Sequence, residues 1–298
     1  MELLARCPLC GEERAPEHFI TCRDHLVSGD TFNVVQCVSC SLLFVNPRPR
    51  PEVLANYYQS EEYISHTDNK RSLQDRIYHM VRKRMLRRKK LLVEKLLSPP
   101  RRILDVGCGT GAFLGAIKNA DNETIGFEPN PLAREKAREK GLNIMGEARE
   151  LENFPKDHLQ LITLWHVLEH LPDFPEKIQL FHSMLDRGGY LVLAVPMWQS
   201  FDAGFYRQDW AAWDVPRHLF HFHEETLVNA CRNAGFVLSH KAPLPFDSFY
   251  VSLLSEKQKG ASGPLHLLRA MMVGAWSNLM GAMGQKPWSS QIFVFKKI

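Results

Sequence analysis

The stretch Ile103-Leu104-Asp105-Val106-Gly107-Cys108-Gly109-Thr110-Gly111-Ala112-Phe113-Leu114 constrains this chain more than any other. It opens as an apolar run with an acid near its carboxyl end, the pattern of a parallel strand buried on both faces. Three glycines at alternate positions follow. They permit a tight turn and let backbone N–H groups approach a ligand closely. Ala112, Phe113, Leu114, Ala116 and Ile117 then begin a helix. Strand, glycine loop and helix form the first unit of an open α/β sheet, in which ligands bind at the carboxyl ends of the strands.

The spacing refines this expectation. The dinucleotide fingerprint is G-x-G-x-x-G, but here it is Gly107-x-Gly109-x-Gly111, with Asp105 two residues before the first glycine. A pyrophosphate would be repelled by that carboxylate, whereas a ligand carrying an ammonium group and a ribose would not. A second acid, Glu128, ends the next strand, Thr124-Ile125-Gly126-Phe127, 17 residues past the last glycine. That is about where a carboxylate holds a ribose diol. The pattern resembles the first two motifs of class I S-adenosylmethionine-dependent methyltransferases. The resemblance implies that Asp105, Gly107, Cys108, Gly109 and Gly111 line the methionine and adenosine, and that Glu128, followed by Pro129, holds the ribose hydroxyls. Another kind of nucleotide-binding strand-turn-helix is the alternative.

Four of the seven cysteines fall into two C-x-x-C pairs, Cys7/Cys10 and Cys37/Cys40. An odd count with such pairs points to a metal site in a reducing compartment and not to disulfides. Four thiolates can close a tetrahedral zinc site and fold a segment with little core of its own. Residues 1–50 therefore read as a zinc ribbon with a somewhat long gap, with Phe32, Val34 and Val35 on a ribbon strand. Cys22, His18 and His25 lie in the gap and read as bystanders. Residues 1–30 carry charges throughout and lack the apolar run of a secretory signal, so a cytoplasmic location is expected.

Residues 51–100 read as a linker and a basic amphipathic helix. The aromatics Tyr57, Tyr58 and Tyr63 suit a segment packed across the next domain, with a plain linker as the alternative. Over 68–97, Ile77, Met80, Val81, Met85, Leu86, Leu91, Leu92, Leu96 and Leu97 recur at helical spacing. Arg82, Lys83, Arg84, Arg87, Arg88, Lys89 and Lys90 occupy the other face. The net charge of +4 conceals a local +10 over residues 66–102. A solvated face is the plainest reading; an anionic membrane surface or RNA is the alternative.

Residues 101–298 read as the nucleoside-binding domain. After Pro131 a helix leads to the strand Asn143-Ile144-Met145, and by resemblance Glu147 and the Ala148 backbone face the adenine. Leu161-Ile162-Thr163-Leu164 is the fourth strand. Leu159-Gln160 stands before it where the family usually has Phe-Asp. Trp165-His166-Val167-Leu168-Glu169-His170-Leu171-Pro172-Asp173 then resembles the motif after this strand in one methyltransferase subgroup, placing Trp165 and His166 beside the reacting sulfonium. His166-x-x-Glu169-His170 also matches a zinc-protease helix motif, but it follows a strand end and not a helix start. Some relatives bind a divalent ion with such a cluster, which here would be His166, Glu169, His170 and His218. Hydrogen-bonded orientation of the loop is the alternative.

Gly188-Gly189 leads into the fifth strand, Tyr190–Val195. An aromatic insert at 197–223, with Trp198, Phe201, Phe205, Tyr206, Trp210 and Trp213, reads as a long loop able to cover the methyl donor. It ends in Pro216-Arg217-His218-Leu219, which again resembles the subgroup and makes His218 the candidate base. His221 and His223 read as surface or capping residues. Phe236–Leu238 is the sixth strand and Asp247–Lys257 a helix. The apolar insert at 260–287 is interrupted by Arg269, Ser277 and Asn278, so it reads as a lid or dimer helix or a membrane-surface contact, not as a span. Gln291–Phe295 closes the sheet; by resemblance it inserts antiparallel.

The expected architecture is thus α/β: a Rossmann-like, seven-stranded methyltransferase sheet, last strand antiparallel, preceded by a small zinc ribbon. The expected activity is transfer of a methyl group from S-adenosylmethionine to a hydroxyl of a small molecule or glycan, with His218 and His166 as catalytic histidines and a structural zinc ion. A lipid-linked acceptor at a membrane surface stays open. The rivals are an RNA methyltransferase using the ribbon and basic helix, and a non-catalytic cofactor-binding scaffold.

Overall fold

The computed structural model describes residues 1–58, 73–261 and 263–298. Expectations for Tyr63 and for residues 68–72 of the basic helix lie outside the described residues. The remainder of that helix runs Leu73–Leu96.

The large sheet is built from β4 (Arg101–Val106), β5 (Asn122–Phe127), β6 (Asn143–Met145), β7 (Leu159–Trp165), β8 (Leu185–Pro196), β10 (Phe236–Pro243) and β11 (Ser290–Lys297), in the order β10-β11-β8-β7-β4-β5-β6. The strands from β8 to β6 are parallel, and β11 pairs antiparallel with both β8 and β10. Both faces are buried, which is why these strands read as nearly continuous apolar runs. One face carries Leu104, Ile162, Leu193 and Phe295 against Phe174, Ile178 and Phe181 of the helix Phe174–Met184. The other carries Ile103, Leu161, Val192 and Val294 against Phe113, Leu114 and Ile117 of the helix Ala112–Ile117 and Val93 of the helix Leu73–Leu96.

The strand β8 begins at Leu185, before the expected Tyr190, and passes through Gly188 and Gly189. Likewise β10 continues to Pro243, because β11 pairs with it along its whole length.

A second, four-stranded antiparallel sheet holds β1 (Glu17–Arg23), β2 (Thr31–Gln36), β3 (Leu43–Val45) and β9 (Phe220–His221), in that order. Its fourth strand comes from the aromatic insert, so the cysteine-bearing hairpins and residues 220–221 share one sheet. The insert is therefore not one long loop. It forms the helix Phe201–Tyr206 and two 3₁₀ turns, and its Tyr206, Trp210 and Trp213 pack with Phe32, Val34, Leu43 and Val45 of the small sheet. The aromatic content serves a third hydrophobic core. Cys22 lies in that core, 2% exposed, away from the four paired cysteines.

The apolar insert forms one helix, Pro264–Ala282, packed on the helix Asp247–Gln258, where Gly274 meets Phe249, and on the helix Phe201–Tyr206, where the Ser277 hydroxyl donates to Asp202 at 2.6 Å. Leu265, Leu268 and Met272 are exposed on its outer side. Among the described residues no helix is long and apolar enough to cross a membrane.

Candidate active site

The turn after β4 is set by two glycines with left-handed backbones. Gly107 has φ +68 and a Cβ there would stand 2.5 Å from Val167 Cγ2; Gly111 has φ +75 and a Cβ would stand 2.2 Å from Leu142 Cδ1. Only a residue without a side chain fits at either position. Gly109, φ +54, faces open space, with nothing within 4 Å of a built Cβ. The loop is therefore packed on its inner side and open on its outer side.

Glu128 follows β5 and is 8% exposed. Its Oε2 accepts the Gly109 N–H at 2.8 Å, and its Oε1 accepts the Asn130 N–H at 2.9 Å. Burial raises its pKa, against these two backbone donors. Pro129 is exposed just beyond it. Cys108 is 8% exposed beneath the loop, with its thiol pKa raised by burial. Asp105 is 2% exposed and its Oδ1 accepts the Thr163 hydroxyl at 2.6 Å. Burial pushes Asp105 up to about 7, against the Thr163 hydrogen bond and the charge of Lys89. Glu147 and Ala148 are exposed at the start of the short helix Ala148–Glu152, and Glu150 accepts the Glu147 N–H at 2.8 Å.

Lys89 belongs here and not to the solvated face expected for it. Its Nζ lies 4.2 Å from the centroid of the Trp165 ring. Burial lowers its pKa, against the charges of Asp105 and Asp247. No hydrogen bond joins its ammonium to a described residue. The Trp165 indole N–H is buried and also lacks a partner. Together with the Gly109 opening and the Glu128 carboxylate, these groups fit a ligand carrying a carboxylate, a cationic centre and a sugar diol.

Beyond β7 the chain turns sharply at His166, whose φ is +59, a region non-glycine residues adopt only under local constraint. His166 Nε2 lies 3.0 Å from Asp247 Oδ2, and its Nδ1 lies 3.5 Å from Glu169 Oε1. Burial opposes charge on His166, but the two carboxylates outweigh it and push its pKa up to about 9.

Glu169, 1% exposed, has no well-formed side-chain hydrogen bond; the His166 contact is long enough to be an ion pair only. His170 and His218 stand beside it, their rings 4.6 Å apart edge to face. His170 Nδ1 lies 3.0 Å from the Arg217 carbonyl oxygen, and His218 Nδ1 lies 2.8 Å from the Ala212 carbonyl oxygen. A carbonyl can only accept, so each ring carries a proton on Nδ1. Burial and the nearby His218 drive His170 down to about 4. One ligand atom from each of Glu169, His170 and His218 lies within 4.8 Å of the others. His166, directed to Asp247, is not in this group. His221 is buried against Trp213, not at the surface, while His223 caps the helix Glu224–Asn233 by accepting the Thr226 N–H.

The four paired cysteines also converge. Cys7 Sγ and Cys40 Sγ are 3.6 Å apart, as are Cys10 Sγ and Cys37 Sγ, and all four lie within 4.8 Å of one another. Tetrahedral zinc with Zn–S bonds of about 2.3 Å requires sulfurs roughly 3.8 Å apart. The donor set therefore fits that ion.

Sequence reasoning missed Lys89 and Asp247. Lys89 carried a signal: it lies three and four residues from Met85, Leu86, Leu92 and Val93, in the stripe that faces the core. Asp247 is the first residue of its helix, where an acid is expected for the helix dipole alone.

Residues 77–241, more than half of the chain, match a methyltransferase-domain family. Among curated proteins, the ubiquinone biosynthesis O-methyltransferase of Actinobacillus pleuropneumoniae serotype 5b is 32% identical over 102 residues, covering 30% of this chain and 44% of that protein. The protein of the same name from Yersinia pestis is 28% identical over 98 residues, covering 30% and 40%. The chain thus spans under half the length of these relatives. Among solved structures, the magnesium protoporphyrin IX methyltransferase of Synechocystis, with bound S-adenosylhomocysteine, superposes with a TM-score of 0.55 at 12% identity, covering 84% of this chain and all of that one. A SAM-dependent methyltransferase from Archaeoglobus fulgidus gives 0.50 at 20% identity, covering 72% and 94%.

Proposed function

The chain belongs to the class I S-adenosylmethionine-dependent methyltransferases, and on that premise we propose that it methylates a hydroxyl group of a small molecule or glycan. The observation that carries this reading is the mouth histidine His218. Its Nδ1 donates to the Ala212 carbonyl, its Nε2 lies 3.8 Å from Asp214 Oδ2, and the buried Glu169 stands beside the ring. A hydroxyl acceptor must lose a proton, and an imidazole is a common group to take it.

Bound S-adenosylmethionine supplies a methyl group already activated on a sulfonium. The remaining work is alignment and exclusion of water. In this reading Glu128 holds the ribose hydroxyls, the loop Gly107–Gly111 approaches the nucleoside, and Asp105 faces the ammonium group. Lys89 offers its ammonium to the carboxylate of the methionine moiety. His166, held as a cation between Asp247 and Glu169, fixes the wall after β7, and His218 takes the proton. Cys7, Cys10, Cys37 and Cys40 hold a structural zinc ion.

A second reading of the mouth is a divalent cation on Glu169, His170 and His218. It is favoured by the buried carboxylate without a well-formed hydrogen bond and by two imidazoles whose Nδ1 protons are held by carbonyls, the usual outer arrangement of metal-ligating histidines.

The test is incubation with methyl-labelled S-adenosylmethionine and fractionated cell extract, with and without a chelator. Label in methyl ethers of small molecules or glycans supports the proposal. Label confined to RNA overturns it in favour of the basic helix as a nucleic-acid contact. Loss of label with the chelator while the ribbon keeps its zinc favours the cation.

A further inference from the structure

Arg217 is 1% exposed and Asp24 is fully buried, although 193 residues separate them. Arg217 Nη2 lies 3.0 Å from Asp24 Oδ1, and Nε and Nη2 lie 3.0 and 2.6 Å from Asp214 Oδ1. The third nitrogen, Nη1, donates to the Tyr57 carbonyl oxygen at 3.1 Å. Asp24 is itself anchored by the backbone N–H groups of Leu26 and Ser28 and by the Ser28 hydroxyl. The guanidinium thus joins the β1–β2 hairpin, the linker and the segment before His218.

We propose that Arg217, clamped by Asp24, is a positioning residue through which the cysteine-bearing unit sets the ring orientation of the mouth histidines. The inference rests on the proposed role of that mouth in methyl transfer.

The connection is short. The Arg217 carbonyl oxygen is the acceptor that fixes the His170 tautomer, and Tyr58 OH lies 3.0 Å from the same ring nitrogen. The next residue is His218, whose N–H donates to the Asp214 carbonyl at 3.0 Å, so Arg217 and Asp214 together close the turn that carries it. One residue further, the Leu219 N–H donates to the Glu169 carbonyl at 2.8 Å and its carbonyl accepts from Val45 N–H at 3.0 Å. The backbone thus runs from β3 of the small sheet to the turn holding Glu169 without a break in hydrogen bonding. A buried ion pair is a weak source of net stability, but its geometry is specific, and a planar fork held on three sides cannot rotate. A misplaced turn moves a base by fractions of an ångström, which is enough to slow a reaction that depends on alignment.

The test is imidazole ¹⁵N NMR on histidine-labelled protein saturated with S-adenosylhomocysteine, with zinc content and affinity measured on the same samples. The wild type is expected to show His170 and His218 as single Nδ1–H tautomers. Asp24→Asn keeps the shape and removes the charge. It is expected to keep its zinc and its affinity within about threefold, yet to show His170 and His218 averaging between tautomers, with kcat down about tenfold or more and acceptor KM changed less. Arg217→Lys should do the same, since a point-like ammonium lacks the rigid planar fork that reaches partners on three sides. Unchanged tautomers in both variants overturn the inference, as does loss of zinc and affinity in step with turnover. If Asp24→Asn fails to fold, Ser28→Ala loosens the same carboxylate and must move the same signals in the same direction. The spectra need no acceptor. A wild type that methylates no hydroxyl would sink the functional reading while these signals still decide the inference.

Discussion

Glu128 Oε2 accepts the backbone N–H of Gly109 at 2.8 Å, tying the acid that ends β5 to the middle of the loop after β4. The carboxylate is thereby placed before any ligand arrives, and a ribose diol would meet oxygens that have no freedom left to lose. If Glu128 holds the sugar as proposed, Glu128→Ala removes those charge-assisted hydrogen bonds and the tether on the loop, an expected loss of about 1.5–3 kcal/mol, or roughly ten- to a hundredfold in Kd for S-adenosylmethionine. Calorimetric titration measures it, and an unchanged Kd removes Glu128 from the cofactor site.

Asp105 gives a pH dependence with a definite sign. Burial holds its pKa at about 7, so the carboxylate is partly protonated in the empty site at neutral pH. A cationic donor favours the ionised form, so affinity rises from pH 6 to pH 8 and binding near pH 7 releases a proton. Because the Thr163 hydroxyl lowers this pKa, Thr163→Val is expected to move the rise to higher pH. Titrations in buffers of different ionisation heat detect the proton, and a flat Kd across the range contradicts the assignment.

His218→Ala is expected to leave the Kd for S-adenosylhomocysteine unchanged and to reduce kcat by about 10²–10⁴, the usual contribution of a general base. Affinity and turnover falling together would mean that His218 supports the fold of the site and does not carry the proton.

Cys40→Ser removes one corner of the sulfur cluster. Zinc measured by atomic absorption is expected at one ion per wild-type chain and well below that in the variant. Tm should fall on the order of 10 °C, because a structural metal contributes its binding energy to folding. Wild-type protein that purifies without zinc at full thermal stability would contradict the ribbon assignment.

The elements carrying the cofactor were legible because local rules and the fold agree there. An apolar run buried on both faces can only be a central strand, and the glycines sit where backbone angles or packing forbid a side chain. The antiparallel placement of β11 came from resemblance, since nothing in Gln291–Phe295 itself fixes its neighbours. Long-range partnerships were not legible. That Phe220-His221 would join the small sheet, or that the insert's tryptophans would fill a core beneath it, depends on contacts some 180 residues apart in sequence. Lys89 was read by its charge when its spacing placed it among Met85, Leu86, Leu92 and Val93. Asp247 could not be distinguished from an ordinary acid in a first helical turn.

The glycine loop, Glu128 and Lys89 are proposed to bind S-adenosylmethionine together. Calorimetric titration of the zinc-loaded protein with S-adenosylmethionine, S-adenosylhomocysteine and NAD tests this proposal most directly. Kd values on the order of micromolar, about −8 kcal/mol, are expected for the first two, and no heat with NAD. Absence of binding by both sulfur nucleosides, or binding of NAD in their place, would contradict it.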